Sequence, residues 1–273
     1  MKAFHQSYPL SLKQVLLTPS IECHVLNQFD QVLLWPSISA VKTFSKYFEH
    51  SENAIRTSLS RAKKNGDILI AIEQNNKRIQ LGEKIKDIIA YYLDEPFTGS
   101  SFSLLTFQFK SNQGKTRYRL KELLDRLNYI KLTQNTYIRY GSHPDAVEAL
   151  LKQNQLDQYV YHFHHIESLP SRLMAEIPER YALNHWAPFL KQFNTRFQHY
   201  LSKEPIQSEA GYLRYLYARS TFHNLIMIQA PYLPESLFTD VTITKSIYHQ
   251  LSQIAEDNRT EHAQIHKAFF DDK

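Results

Sequence analysis

The sequence of 273 residues holds a single cysteine, Cys23. That excludes a disulfide framework and every zinc site built on cysteine pairs, and it favours a reducing compartment. Glycine is scarce too. There are six, Gly66, Gly82, Gly99, Gly114, Gly141 and Gly211, and no two lie close together. Neither a P-loop nor a GxGxxG turn can be built from them. Long apolar runs are missing as well: the longest are about five residues, against the roughly 20 needed to span a bilayer. The opening stretch, MKAFHQSYPLSLKQVLL, is interrupted by His5, Gln6, Lys13 and Gln14, so it lacks the apolar region of a signal peptide. The expectation is a cytoplasmic protein with no membrane partner.

What is present is an ordinary globular composition, 42% hydrophobic and 22% charged, with a formal net charge of +5. Disordered and fibrous classes fall away. The charge is modest, so a nucleic-acid reading rests on where the charge sits rather than on its total.

Pattern divides the chain into three zones, 1–98, 99–168 and 169–273, and predicts an α+β protein. In the first zone Thr18-Pro19 reads as a helix start, with Ile21, Val25 and Phe29 at helical spacing. Ser37 or Ser39 opens a second helix with Val41, Phe44 and Phe48 on one face. Ser51 caps a third, ending at Asn65-Gly66. Two short β runs, 68–72 and 78–81, flank an Asn-Asn turn and read as a hairpin. Three helices followed by a hairpin is the winged helix-turn-helix order. A helix over Glu83–Leu93 and a linker over Asp94–Ser101 lead out. The second zone reads strand, helix, strand, strand, helix, strand: 102–109, 115–127, 129–132, 137–140, 145–152 and 159–165. That is the ferredoxin-like order. The third zone is helical, with helices over Asn184–Leu201, Glu209–Gln229 and Thr244–Glu256.

The third helix carries the functional signal. From Ser51 and Asn53 onward its apolar residues Ala54, Ile55, Leu59 and Ala62 share one face. Arg56, Thr57, Ser60, Arg61, Lys63 and Lys64 share the other, and no acid lies between Glu52 and Asp67. Arginine reads guanine edges in a bidentate manner, small hydroxyls allow close approach, and lysine neutralises phosphate. Lys77 and Arg78 sit near the hairpin tip, where a wing touches phosphate or the minor groove. The competing reading is a solvated basic helix face.

These residues carry a resemblance. AIRTSLSRAKKNG (54–66) resembles the recognition-helix phrase of PaaX-type transcriptional regulators, named for repressors of phenylacetic-acid catabolism. RIQLG (78–82), TFQF (106–109) followed by Arg117, Arg119, Leu123 and Leu127, the two Tyr-Ile pairs at 129–130 and 137–138, and Arg219, His223 and PYLPESLF (231–238) follow in the family's order. Glu49 and His50 stand where the family has a glycine. The resemblance implies a homodimeric repressor on a palindromic double-stranded DNA operator. It also implies a winged helix-turn-helix, a ferredoxin-like (Cas2-like) middle domain, a C-terminal helical domain, and release by a small-molecule effector such as an acyl-CoA thioester or an aromatic acid.

Other constellations carry less. HFHH (162–165) places His162 and His164 on one strand face, and imidazole suits zinc or nickel. No third ligand can be assigned from the sequence, and a strand edge is the plainer reading, so no metal and no cofactor is expected. A metal-dependent nuclease on the middle domain is the alternative function. It needs a carboxylate near the end of the first strand, where Phe109, Lys110, Ser111 and Asn112 stand. No catalytic residue is assigned. The aromatic density between His185 and Tyr232 reads as helical core and dimer surface, or as an effector cavity. In the second case Arg214, Arg219 and His223 are the candidate ligands of an anion, with Arg219 and His223 on one helical face.

Overall fold

A computed structural model describes residues 4–29, 33–83, 85–87, 89, 101–141, 144–227, 229–230 and 233–271. Most of the expected linker and of the helix over Glu83–Leu93 lies outside the described residues. The fold is mixed α+β. It divides into two compact units, one of Met1–Ile89, Phe193–Asn224 and Ile247–Lys273, the other of Ala90–Gln192 and Leu225–Ser246. Residues 169–273 are therefore divided between the two. Among the described residues no helix is long and apolar enough to cross a membrane.

The first unit opens with a short helix, α1 (Phe4–Ser7), and then α2 (Leu12–Asn27). The α2 start is not at Thr18-Pro19. Ser11 caps it instead, in a reciprocal pair: the Ser11 amide donates to Gln14 Oε1 at 2.7 Å, and the Gln14 amide donates to Ser11 Oγ at 3.3 Å. Two end donors are satisfied at once, which outweighs the preference of Pro19 for a first turn. Pro19 lies inside the helix. The Thr18 hydroxyl, one residue earlier, donates to the Gln14 carbonyl at 2.9 Å. Residues on every side of α2 are buried, the mark of a core helix.

Around α2 pack α3 (Ile38–Tyr47), α4 (Glu52–Lys64), α9 (Glu209–Phe222) and α11 (Arg259–Phe270). The α3 helix is capped by Ser37, whose Oγ accepts from the Ala40 amide at 3.1 Å, and it buries Val41, Phe44 and Phe48 as expected. Each of these apolar side chains contributes about 1.5–3 kcal/mol by leaving water. Strands β1 (Ile68–Glu73) and β2 (Asn76–Leu81) pair antiparallel, with Ile68 opposite Leu81 and Glu73 opposite Asn76. The two-residue turn is thus Gln74-Asn75, one position earlier than expected, and both residues have positive φ. That is the backbone a hairpin's right-handed twist demands. Gly82 closes the hairpin against the preceding helix end. A Cβ there would lie 1.9 Å from the Gly66 carbonyl oxygen, so no other residue fits.

The second unit holds β3 (Phe102–Phe107), α5 (Gly114–Arg126), β4 (Ile130–Lys131), β5 (Thr136–Tyr140), α6 (Pro144–Gln153) and β6 (Val160–Ile166). All strand pairs are antiparallel, in the order β4-β5-β3-β6. One sheet face and the two helices share a core that includes Leu105, Phe107, Leu120, Leu124, Leu150 and Leu151. The edge strand β6 carries a bulge. Phe102 pairs with Ile166 and Leu104 with Phe163, so His164 and His165 together oppose Ser103, and His165 has a φ of 58°. Helices α7 (Ser171–Arg180), α8 (Leu183–Leu201) and α10 (Val241–Asp257) complete the chain. The α8 and α10 helices match two expected ones closely. The third expected helix changes to a π turn over His223–Met227, and α7 and α11 were not expected.

Candidate nucleic-acid interface

The strongest candidate site is α4 and the turn that aims it. Ser45 and Lys46 close that turn by accepting from the amides of His50 and Glu49. Glu49 takes a φ of 66°, the left-handed conformation that glycine enters most cheaply. Ser51 then caps α4, its Oγ accepting from the Ala54 amide at 3.4 Å. Ile55 and Ala62 are buried, and Leu59 is half-buried. Ala54, expected on the same face, is exposed. Asn53, Arg56, Thr57, Ser60, Arg61, Lys63 and Lys64 are all exposed. Among the described residues none of these four cations is held in an ion pair. The one acid of the first turn, Glu52, is held by Lys46 at 3.1 Å. That hydrogen bond and the charges of Lys46, Lys42 and Arg56 keep the Glu52 carboxyl below the usual range. Lys42 and Lys46 of α3 thus offset the one acid at the start of the helix.

The hairpin contributes one of its two expected cations. Lys77 is exposed opposite Ile72, which is itself 74% exposed. Arg78 is not available to a phosphate: it is 1% exposed. Its guanidinium donates to the Trp35 carbonyl at 2.7 Å and to the Asp271 carbonyl at 3.3 Å, with the Asp271 carboxylate at 3.6 Å. After Lys77 the strand turns inward. The Ile79 amide donates to the Pro36 carbonyl, and Arg78 bridges to Ser37. Alternate strand residues point to opposite faces, so neighbouring cations part company. Arg78 ties the hairpin to the start of α3 and the end of α11.

The three effector candidates do not form an open clamp. Arg219 Nη1 donates to the Glu22 carboxylate of α2, and the pair is largely buried. The acid reached from another helix, rather than a ligand, answers this charge. Burial and the adjacent Arg219 charge push His223 down to about 3, so it is neutral near pH 7 and adds no charge to an anion site. Arg214 is half-buried, its guanidinium 5.1 Å from the centre of the Tyr200 ring. The aromatic side chains nearby, Phe193, Phe197, Tyr212, Tyr215 and Phe222, are fully buried and fill the core.

A second cluster gathers on the edge strand of the other unit: the sequence offered its His162 and His164 but not its third member, Glu148. The ligand atoms of Glu148, His162 and His164 lie within 4.8 Å of one another. Glu148 carried no local motif. Only the fold order, which lays α6 beside β6, brings it to the histidines.

No family model matches the chain, and no curated protein does. A solved structure, the uncharacterized protein Rv0674 from Mycobacterium tuberculosis, is similar over 95% of this chain and 99% of that one. The sequences are 15% identical and the TM-score is 0.52. The likeness is one of fold.

Proposed function

We propose that the protein is a DNA-binding transcriptional regulator, with the first unit's α2, α3, α4 and β1–β2 acting as a winged helix-turn-helix. The observation that carries this reading is the exposed basic face of α4, free of acids after Glu52 and presented by a tight turn after α3. Asn53, Arg56, Thr57, Ser60 and Arg61 face bases, while Lys63, Lys64 and Lys77 face phosphates. Ser51 sets the start of the helix, and Arg78 holds the wing in place from behind. The βαββαβ order and strand arrangement of the second unit support a ferredoxin-like domain, and a homodimer would present two α4 helices to a palindromic operator. Release by a small-molecule effector belongs to the same proposal, with Arg214 the remaining cation of the three candidates.

The test is fluorescence anisotropy with the duplex upstream of the protein's own gene and a scrambled duplex, each at two salt concentrations. Tight, salt-sensitive binding to the first duplex is expected. Arg56→Ala and Arg61→Ala should each cost about 1–3 kcal/mol if they touch bases. Unchanged binding in the double variant would overturn the assignment of α4.

A further inference from the structure

We propose that Glu148, His162 and His164 form a binding site for a divalent transition-metal ion of the zinc class, on the edge of the sheet of the second unit. This goes beyond the DNA-binding reading and does not depend on it.

The site is built around His162. Its side chain is 5% exposed, and its two ring nitrogens have different surroundings. Nε2 lies 3.1 Å from the Tyr129 hydroxyl, which in turn lies 2.8 Å from the Ser103 hydroxyl. Nδ1 is buried and has no hydrogen-bond partner. It faces the Glu148 carboxylate at 3.9 Å. A buried ring nitrogen without a partner is costly unless something fills its lone pair. In the tautomer with Nε2–H donating to Tyr129, and Tyr129 donating to Ser103, the Nδ1 lone pair is open to a metal. A polar group fixing the far nitrogen is the usual support of a metal-bound imidazole.

The other two ligands come from both sides. His164 stands two residues on along β6, its ring 5.5 Å from that of His162. The bulge at His164 and His165 lies opposite Ser103, so the irregular strand and the hydroxyl relay are parts of one local structure. Glu148 approaches from α6, its side chain about half exposed. The three ligand atoms lie within 4.8 Å of one another. Around a tetrahedral zinc with bonds of about 2.0 Å they would stand about 3.3 Å apart. The exposed side chains, His164 and Glu148, can close that gap by rotation while His162 stays fixed. Two imidazoles and one carboxylate suit Zn²⁺, Co²⁺ or Ni²⁺ better than Mg²⁺ or Ca²⁺. Three protein ligands leave the fourth position, on the exposed side, to water or a small anion.

The experiment uses full-length protein without a histidine tag, stripped with chelator and titrated calorimetrically with Zn²⁺. Co²⁺ absorption reports the coordination geometry. One zinc per chain is expected. His164→Ala and Glu148→Gln, both at exposed positions, should weaken binding at least tenfold, while His185→Ala, an exposed histidine elsewhere in the same unit, should leave it unchanged. Thermal melts of the metal-free variants establish that they fold. Absence of zinc uptake by the wild type, or uptake retained at full strength in His164→Ala, would overturn the site.

Discussion

Arg78 shows how little a residue's type says about its role until its surroundings are known. As the second of two adjacent cations near a hairpin tip it reads as a phosphate contact. In the fold it is buried and bonded to Trp35 and Asp271. Removing one partner of a buried ion pair leaves the other uncompensated. Arg78→Ala should therefore lower stability by about 3–5 kcal/mol in urea unfolding, whereas Lys77→Ala should leave it nearly unchanged. Glu49 is a second case. Its left-handed backbone stores strain that glycine does not, so Glu49→Gly should raise stability by about 0.5–1 kcal/mol in the same assay. His262 and His266 are fully buried, and burial pushes them down to about 4 and about 3, with the Arg219 charge adding to the effect on His262. The unfolded chain binds their protons near pH 6.5, and the folded chain does not. Stability is therefore full above about pH 6.5 and falls as the pH drops toward 4, by about 1 kcal/mol per pH unit for each histidine. Urea midpoints measured from pH 7 to pH 4 check this. A flat profile would contradict the neutral, buried state of both rings.

At the scale of elements, the sequence was most legible where a local signal and the core agreed. Ser51 caps the helix it was expected to cap, and of the two serines offered for the helix before it, Ser37 rather than Ser39 is the cap. The failures have local causes of equal clarity. At α2 two start signals competed, and the reciprocal Ser11–Gln14 pair won because the apolar run at Val15–Leu17 had to be inside the helix. In the hairpin the turn fell on Gln74-Asn75, because pairing Ile68 with Leu81 buries both and fixes the register from the far end. Glutamine pays a steric cost at positive φ that asparagine largely avoids. Gln74→Asn should raise the melting temperature slightly, by about 0.5 kcal/mol of stability, with no change of register.

Across the whole molecule, the chain returns to units it has left. Segments far apart in sequence pack on α2: the Thr18 hydroxyl bonds Ser220, Glu22 meets Arg219, and the Ser20 hydroxyl bonds the Ile79 carbonyl. The compact units therefore draw on segments far apart in the chain. This packing also explains why the anion clamp sought at Arg219 and His223 is not open: its charge was already answered within the core. Truncation after residue 98 would remove α9 and α11 from α2, so the first 98 residues alone should unfold at lower temperature than the full chain, a comparison that circular dichroism makes directly.

The sequence by itself determined what depends on neighbours along the chain: the absence of cysteine chemistry and phosphate loops, the caps and apolar stripes of α3 and α4, the basic face of α4, and the strand–helix order of the second unit. Tertiary structure decided what depends on distant partners. It buried Arg78 against the end of α11, matched Arg219 with Glu22, and set Glu148 beside His162. The physical reason is the same in each case. The fate of a charge or a ring nitrogen is governed by which groups replace its water, and those groups arrive from segments whose approach no local periodicity encodes.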